Sequence, residues 1–71
     1  MVTSMLEAGL RVAFDGVDIW VSNQLSNNVT KLSQSGLVLG TFLVGSQPNG
    51  LAFDGADIWV TNQSSGTVSK L

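Results

Sequence analysis

The sequence predicts an all-β protein built from a repeated unit, and three observations lead to that prediction. Residues 13–32 and 52–71 are two copies of one motif, offset by 39 positions and identical at fourteen of twenty. Turn-forming groups such as Asp-Gly and Pro-Asn-Gly leave segments of only about 5–8 residues, which suit strands and not helices. These segments are rich in Val, Ile, Thr, Phe and Trp, which favour a pleated sheet.

Each copy divides into short strands separated by turns. The pair Asp15-Gly16 lies between two such segments, where a two-residue hairpin needs positive φ. Residues 45–50 connect the two copies. The predicted strands are residues 12–15, 18–23, 29–33, 37–44, 51–54, 57–62 and 67–71. A unit of four antiparallel strands in 39 residues is the arrangement of a β-propeller blade.

The amino terminus supplies an eighth predicted strand. Extending the offset backwards aligns Thr3 with Phe42, Ser4 with Leu43 and Met5 with Val44, so residues 1–6 are a degenerate fourth strand. Residues 1–71 are therefore predicted to be a single two-blade unit, out of phase by one strand.

Two blades cannot close a ring, and stacked repeats generally need at least three neighbours. We expect a homo-oligomer in which one chain's N-terminal strand completes a blade begun in another, and a trimer with six blades is favoured over a tetramer with eight. The alternatives are part of a longer propeller, or an engineered or reconstructed fragment with no selected ligand. The residues predicted to exchange are Val2, Thr3, Ser4, Met5 and Leu6, beside Val68 and Leu71 of the neighbour.

Composition narrows the function classes. Charged residues make up 11% of the chain against a usual share of about 25%, which favours surface hidden against a partner. The absence of cysteine excludes disulfides and thiolate metal sites, and no cofactor is expected. A net charge of −2 without a basic stripe argues against nucleic acid. No membrane span or secretory signal is predicted, so the compartment is unknown and cytoplasmic by default.

Residues 48–62, PNGLAFDGADIWVTN, resemble the repeats of NHL and YVTN-type β-propellers, and among them the virginiamycin B (streptogramin) lyase-like group. The resemblance implies blades. It implies no reaction, because those lyases use a histidine base with magnesium and this chain has no histidine. A lyase-like enzyme is therefore the disfavoured alternative. The favoured hypothesis is a non-catalytic, self-assembling binding or scaffold module, with lectin-like carbohydrate binding at repeated sites as another alternative.

Polar residues that follow the second strand of each copy are the candidate ligand site. In propellers this loop and the connection between blades open on one face. We expect a polar mouth there for a small polar or carbohydrate ligand, although the Asn residues also suit turn capping and the arginine a solvated surface charge. The candidates are Arg11, Asn23, Gln24, Asn49, Asn62 and Gln63.

The remaining notable side chains are interpreted as structural. Asp15 and Asp54 suit turn chemistry. The acids at 18 and 57 are expected to bond to the turn or to a neighbouring blade, with a calcium site as the alternative, and the lysines at 31 and 70 to be edge or solvated charges. The residues predicted to pack between blades are Phe14, Trp20, Phe53 and Trp59.

Overall fold

The computed structural model describes residues 11–71, and the chain in this range is all-β, as predicted. It contains seven antiparallel strands in two sheets, and no helix that could span a membrane occurs in this range. The predicted N-terminal strand, with Val2, Thr3, Ser4, Met5 and Leu6, lies outside the described residues.

The first copy forms a four-stranded sheet in which neighbours along the chain are neighbours in the sheet. The second copy forms a three-stranded sheet in the same order. The strands of the first sheet are β1 (Arg11–Phe14), β2 (Ile19–Asn23), β3 (Asn28–Leu32) and β4 (Val38–Leu43). Those of the second are β5 (Pro48–Phe53), β6 (Ile58–Asn62) and β7 (Thr67–Lys70).

One strand, β5, begins three residues earlier than the sequence predicts, whereas the other strands begin within one residue of the prediction. β5 starts at Pro48, within the predicted connection, because Pro48 already pairs with Asn62 across the sheet. The register then shifts between Pro48 and Gly50. This irregularity admits a proline into the strand, since proline is tolerated at a strand's first residue or at a bulge.

The two copies pair in the same register. Trp20 stands between Ala13 and Lys31 in the first sheet. Trp59 stands between Ala52 and Lys70 in the second. The sequence repeat is therefore a structural repeat, strand for strand, from β1–β3 to β5–β7.

Each copy begins with a hairpin whose turn requires glycine. The amide of Asp15 donates to the carbonyl of Asp18 at 3.1 Å, which leaves Gly16 and Val17 as the two turn residues. Gly16 has φ +95°, and its counterpart Gly55 has φ +101°. Glycine reaches such angles at no steric cost, so the Asp-Gly pair specifies the turn.

The sheets pack face to face through a small apolar core. Because side chains alternate along a strand, each sheet has one face that carries its tryptophan (the tryptophan face) and one that carries its isoleucine, Ile19 or Ile58 (the isoleucine face). Trp20 and Val29, on the tryptophan face of the first sheet, are 8% and 0% exposed, and they cluster with buried Ile58 and Val60 on the isoleucine face of the second. The sheets thus join unlike faces of the same repeat.

The two faces that the sheets do not share differ in exposure. On the tryptophan face of the second sheet, Trp59 is 39% exposed and Val68 is 60% exposed. On the isoleucine face of the first sheet, Val12 and Phe14 of β1 are more than half exposed, but the inner-strand residues Val21 and Leu32 are buried. Of the four aromatic residues predicted to pack between blades, Trp20 therefore lies between the two sheets, whereas Phe14, Phe53 and Trp59 are exposed in the single chain.

Candidate functional site

Three loops meet at the end of the sheets where β2 and β6 finish, and we call them the loop cluster: residues 24–27, 44–47 and 63–66. Val44 donates its amide to the carbonyl of Asn27 at 3.1 Å. The amides of Gln63 and Ser64 donate to the carbonyls of Gln47 and Ser46, at 3.0 and 3.2 Å. The connection between the copies is thus bonded to a loop on either side.

Side chains fix the same three loops. Oδ1 of Asn27 accepts the amide of Gln47 at 2.9 Å, and Oγ of Ser65 accepts the amide of Ser46 at 2.7 Å. The hydroxyl of Ser64 donates to Oε1 of Gln47. Asn27 and Gln47 both adopt left-handed backbone angles, with φ of 57° and 54°. Two non-glycine residues held in this region indicate a tightly determined loop conformation.

Glycine is required where the connection passes the end of β6. A Cβ added at Gly45 would lie 2.8 Å from Cγ of Asn62 and 2.7 Å from Oγ of Ser65. Both distances are shorter than carbon atoms tolerate, so only glycine lets the connection lie this close.

The loop cluster encloses an open pocket of about 320 Å³. Its lining carries amide and hydroxyl groups together with one apolar side chain, and no charged group. Such a lining offers hydrogen bonds to an uncharged ligand that is rich in hydroxyl groups. The lining residues are Gln24, Leu25, Asn27, Ser46, Gln47 and Ser64.

The predicted site residues fall into three groups, and the first lies at the loop cluster. Gln24 lines the pocket. Asn49 and Gln63 come together, since Nδ2 of Asn49 donates to Oε1 of Gln63 at 2.8 Å. Oδ1 of Asn49 also accepts the hydroxyl of Thr61 at 3.1 Å. The side chains of Asn49 and Gln63 therefore bond to each other and to Thr61 beside the pocket, and they are not part of its lining.

The second group is Asn23 and Asn62, which are buried. Nδ2 of Asn23 donates to Oδ1 of Asn28 at 2.7 Å and to Oγ1 of Thr30 at 2.8 Å. Nδ2 of Asn62 makes the equivalent bond to Oγ of Ser69 at 2.9 Å. These amides join neighbouring strands beneath the loops, and any contact of theirs with a ligand stays a prediction.

Arg11 forms the third group. It begins β1, pairs with Ser22, and its amide donates to Oγ of Ser22 at 3.2 Å. Its side chain is exposed and lies outside the pocket lining.

Sequence reasoning missed most of the lining. Asn27 had a signal, because asparagine tolerates the left-handed conformation and this one lies in the turn-forming run Ser26-Asn27-Asn28. Ser46 and Gln47 lie in the connection that was predicted to open on this face, but they were not among the candidates. Ser64 had no signal. The three residues come together because the connection is bonded to the loop that follows β6, which no local pattern encodes.

A second polar cluster lies at the opposite end of each sheet. Oδ1 of Asp15 accepts the amides of Val17 and Asp18 at 2.8 and 2.6 Å, and Oδ2 accepts the indole N–H of Trp20 at 2.8 Å. Nζ of Lys31 lies 3.5 Å from Oδ2 of Asp18 and 5.1 Å from the centre of the Trp20 ring. The turn assignment for Asp15 is confirmed.

The expectation that Lys31 is an edge charge is wrong, although its side chain is still 31% exposed. β3 is an inner strand, and the lysine lies between a carboxylate and an aromatic face, where a cation is attracted to both. The reason is that β4 pairs with the outer edge of β3, so the lysine lies on an inner strand of the sheet.

The second sheet repeats this cluster with greater exposure. Asp54 accepts the amides of Ala56 and Asp57 at 2.8 and 2.7 Å and the indole N–H of Trp59 at 2.6 Å. Lys70 lies 3.8 Å from Asp57 and 5.7 Å from the centre of the Trp59 ring.

Hydrogen bonding lowers the pKa of both turn carboxylates. The bond from Trp59, with those from Asp57 and Ala56, lowers the pKa of Asp54 to about 2. The amide of Asp18 is the main cause that lowers the pKa of Asp15. Both groups are ionised at neutral pH and their lone pairs are engaged, so they are poorly suited to act as general bases. Within residues 11–71, no three acidic side chains come together to hold a metal ion.

Comparison with known proteins adds no family to this description. No protein-family model matches the chain, and neither a curated protein nor a solved structure matches it. The resemblance of residues 48–62 to NHL and YVTN-type repeats therefore stays a prediction.

Proposed function

We propose that the chain is a non-catalytic, self-assembling β-propeller module that acts as a binding or scaffold unit. The observation that supports this most is the packing of unlike faces. The tryptophan face of the first sheet packs on the isoleucine face of the second. Among the described residues, the tryptophan face of the second sheet and the β1 edge of the isoleucine face of the first stay exposed. Since both kinds of face occur in both copies, these two faces repeat the residue types of the pair already joined inside the chain.

Assembly would repeat the internal interface between chains. The exposed tryptophan face, with Trp59 and Val68, would cover the isoleucine face of the next chain, with Val12 and Phe14. Three chains would give six blades and four would give eight, and we favour the trimer. In this ring, residues 2–6 of one chain lie beside Val68 and Leu71 of its neighbour and supply the fourth strand of the second sheet.

The chemistry of the described residues supports a role without catalysis. The pocket lining is uncharged. The carboxylates with lowered pKa values lie at the opposite end, engaged by amides and indoles. Catalytic sites usually need unlike groups that converge, with a titratable residue among them.

Native mass spectrometry of the full chain across a range of concentrations tests the proposal. A discrete species at three or four chain masses is expected. Val68→Lys should dissociate it, because the substitution places a charge in the joined faces. Val17→Lys is the matched control, since Val17 is similarly exposed but lies in a turn. A folded monomer at all concentrations would contradict the proposal.

The pocket favours a second candidate, lectin-like binding of a neutral carbohydrate. Its amides and hydroxyls suit sugar hydroxyls, and exposed Leu25 offers an apolar contact for the sugar's C–H groups. A glycan array, followed by titration monitored by NMR, tests it. Gln24→Ala should weaken binding, whereas Gln34→Ala, at an exposed turn outside the lining, should not. Equal binding by both variants would place the ligand elsewhere.

A further inference from the structure

The two sheets differ by one strand on an otherwise repeated framework. In the first sheet β3 pairs with β2 on one side and with β4 on the other. β7, the counterpart of β3, pairs only with β6 among the described residues. Within residues 11–71 no strand lies at its outer edge, and the backbone groups of such an edge can accept one.

The first sheet shows what a strand at that edge contributes. Phe42 of β4 stands opposite Val29, and its ring centre lies 5.5 Å from that of Trp20 at an angle of 35°. Gly40 stands opposite Lys31, and a Cβ added there would lie 3.2 Å from Cζ of Phe42. The small residue thus leaves room for the aromatic ring to lie across the strand against the tryptophan.

The second sheet holds the receiving half of this contact. Val68 and Lys70 occupy the positions of Val29 and Lys31, and Trp59 occupies the position of Trp20. Trp59 and Val68 are 39% and 60% exposed, whereas their counterparts are 8% and 0% exposed. The second sheet also covers Trp20 and Val29. Strand β4 therefore accounts for the contact between Phe42 and Trp20, but only for part of the difference in exposure between the two sheets.

The lysine on β7 does not block the edge. Edge lysines commonly discourage pairing. The Lys70 ammonium, however, lies over the Trp59 ring and near Asp57, on the tryptophan face. Lys31 occupies the same place in the first sheet, where β4 pairs beside it with Gly40 opposite the lysine.

We propose that the outer edge of β7 is a strand-acceptor site for an antiparallel extended segment with a small residue opposite Lys70 and an aromatic residue opposite Val68. Backbone pairing would supply affinity, and the aromatic contact with Trp59 would supply selectivity. This proposal deepens the proposed function. It rests on that function only where the acceptor site is placed in the ring. In that ring, the sequence offset would align Thr3 of a neighbour with the position of Phe42 in β4, so a segment with the β4 pattern would be the better occupant.

A chain extended after Leu71 by a second copy of residues 33–44 tests the proposal. The link makes binding intramolecular, at an effective concentration of the order of mM. The readout is acrylamide quenching and the emission maximum of Trp59, obtained as the difference from the same chain carrying Trp59→Phe. We expect a blue shift and a loss of quenching. The matched control is the same extension with Phe42→Ala in the appended copy, which should protect Trp59 less.

The outcomes separate this proposal from the one on assembly. Greater protection of Trp59 by the extension with phenylalanine than by the one with alanine supports the acceptor site, whatever the mass of the assembly. Equal protection by both extensions, or by neither, overturns it. Native mass measured on the same samples reports the ring independently, so a monomer with protected Trp59 removes the ring and leaves the acceptor site standing.

Discussion

The indole nitrogen of Trp59 donates a 2.6 Å hydrogen bond to the carboxylate of Asp54, five residues earlier. Trp20 and Asp15 make the same contact at 2.8 Å. Each bond ties the mid-strand tryptophan to the turn that precedes its strand. The tryptophan is thereby held in one orientation on its face, and the turn is fixed to the sheet that it begins.

Acid should weaken the fold partly through Asp54. Its pKa is about 2 in the folded chain and about 3.9 in an unfolded one. The stabilisation is therefore fully present above roughly pH 4 and is lost as the pH falls towards about 2. Asp54→Asn should reduce the slope of urea midpoint against pH in this window. Parallel curves for the two proteins would contradict the assignment, and Asp57→Asn is the control.

The hairpin glycine should resist replacement. Gly55 has φ +101°, and nothing lies within 4 Å of an added Cβ, so the cost of Gly55→Ala is backbone strain alone. We expect a loss of about 1–2 kcal/mol in the free energy of unfolding. Val17→Ala, in the equivalent turn of the first sheet, should change it by less than about 0.5 kcal/mol. Chemical denaturation measures both, and equal effects would argue against strain.

Asn62 should be a structural residue. It is 1% exposed and bonds to Ser69 across the sheet. Asn62→Ala would remove this bond and leave the half-buried hydroxyl of Ser69 with one partner fewer, and we expect destabilisation of about 0.5–1.5 kcal/mol. Gln63→Ala, one residue later and exposed, should have an effect near zero. A stable Asn62→Ala chain would show that the amide's bonds are replaced at little cost.

A pair of equivalent valines separates stability from assembly. Val29→Ala removes buried methyl groups from the core and should lower the free energy of unfolding by about 2 kcal/mol at every protein concentration. Val68→Ala, at the exposed counterpart, should weaken assembly while the stability of the dissociated chain stays unchanged. Denaturation at several concentrations distinguishes the two. A Val68→Ala effect independent of concentration would contradict the role of this face.

Most of the fold could be predicted because its signals are local. Asp15-Gly16 marks a turn through the backbone freedom of glycine, and alternation around Trp20 marks a strand. The early start of β5 at Pro48 could not be predicted, since it depends on pairing with β6. The interpretation of Lys31 as an edge charge was wrong, although the predicted four-stranded unit already places the third strand inside the sheet.

The candidate site was predicted less completely. The loops that carry Gln24 and Gln63 were correctly placed at one end of the sheets. The pocket itself arises where the connection crosses between them, which brings Gln47 against Asn27 and Ser64. Contacts of this kind depend on how the two sheets pack against each other, and short-range sequence patterns carry no information about that packing.

The joining of unlike faces gives the molecule a direction. An interface between like faces would have twofold symmetry and would end after two partners, whereas a head-to-tail interface continues until its rotation closes a ring. The peptide link at residues 44–47 joins one such interface covalently. If chains associate through the same pair of faces, as proposed, gene duplication and subunit association would be interchangeable ways to make one contact. Each further copy in a chain would then replace one junction between chains without requiring a new surface to evolve.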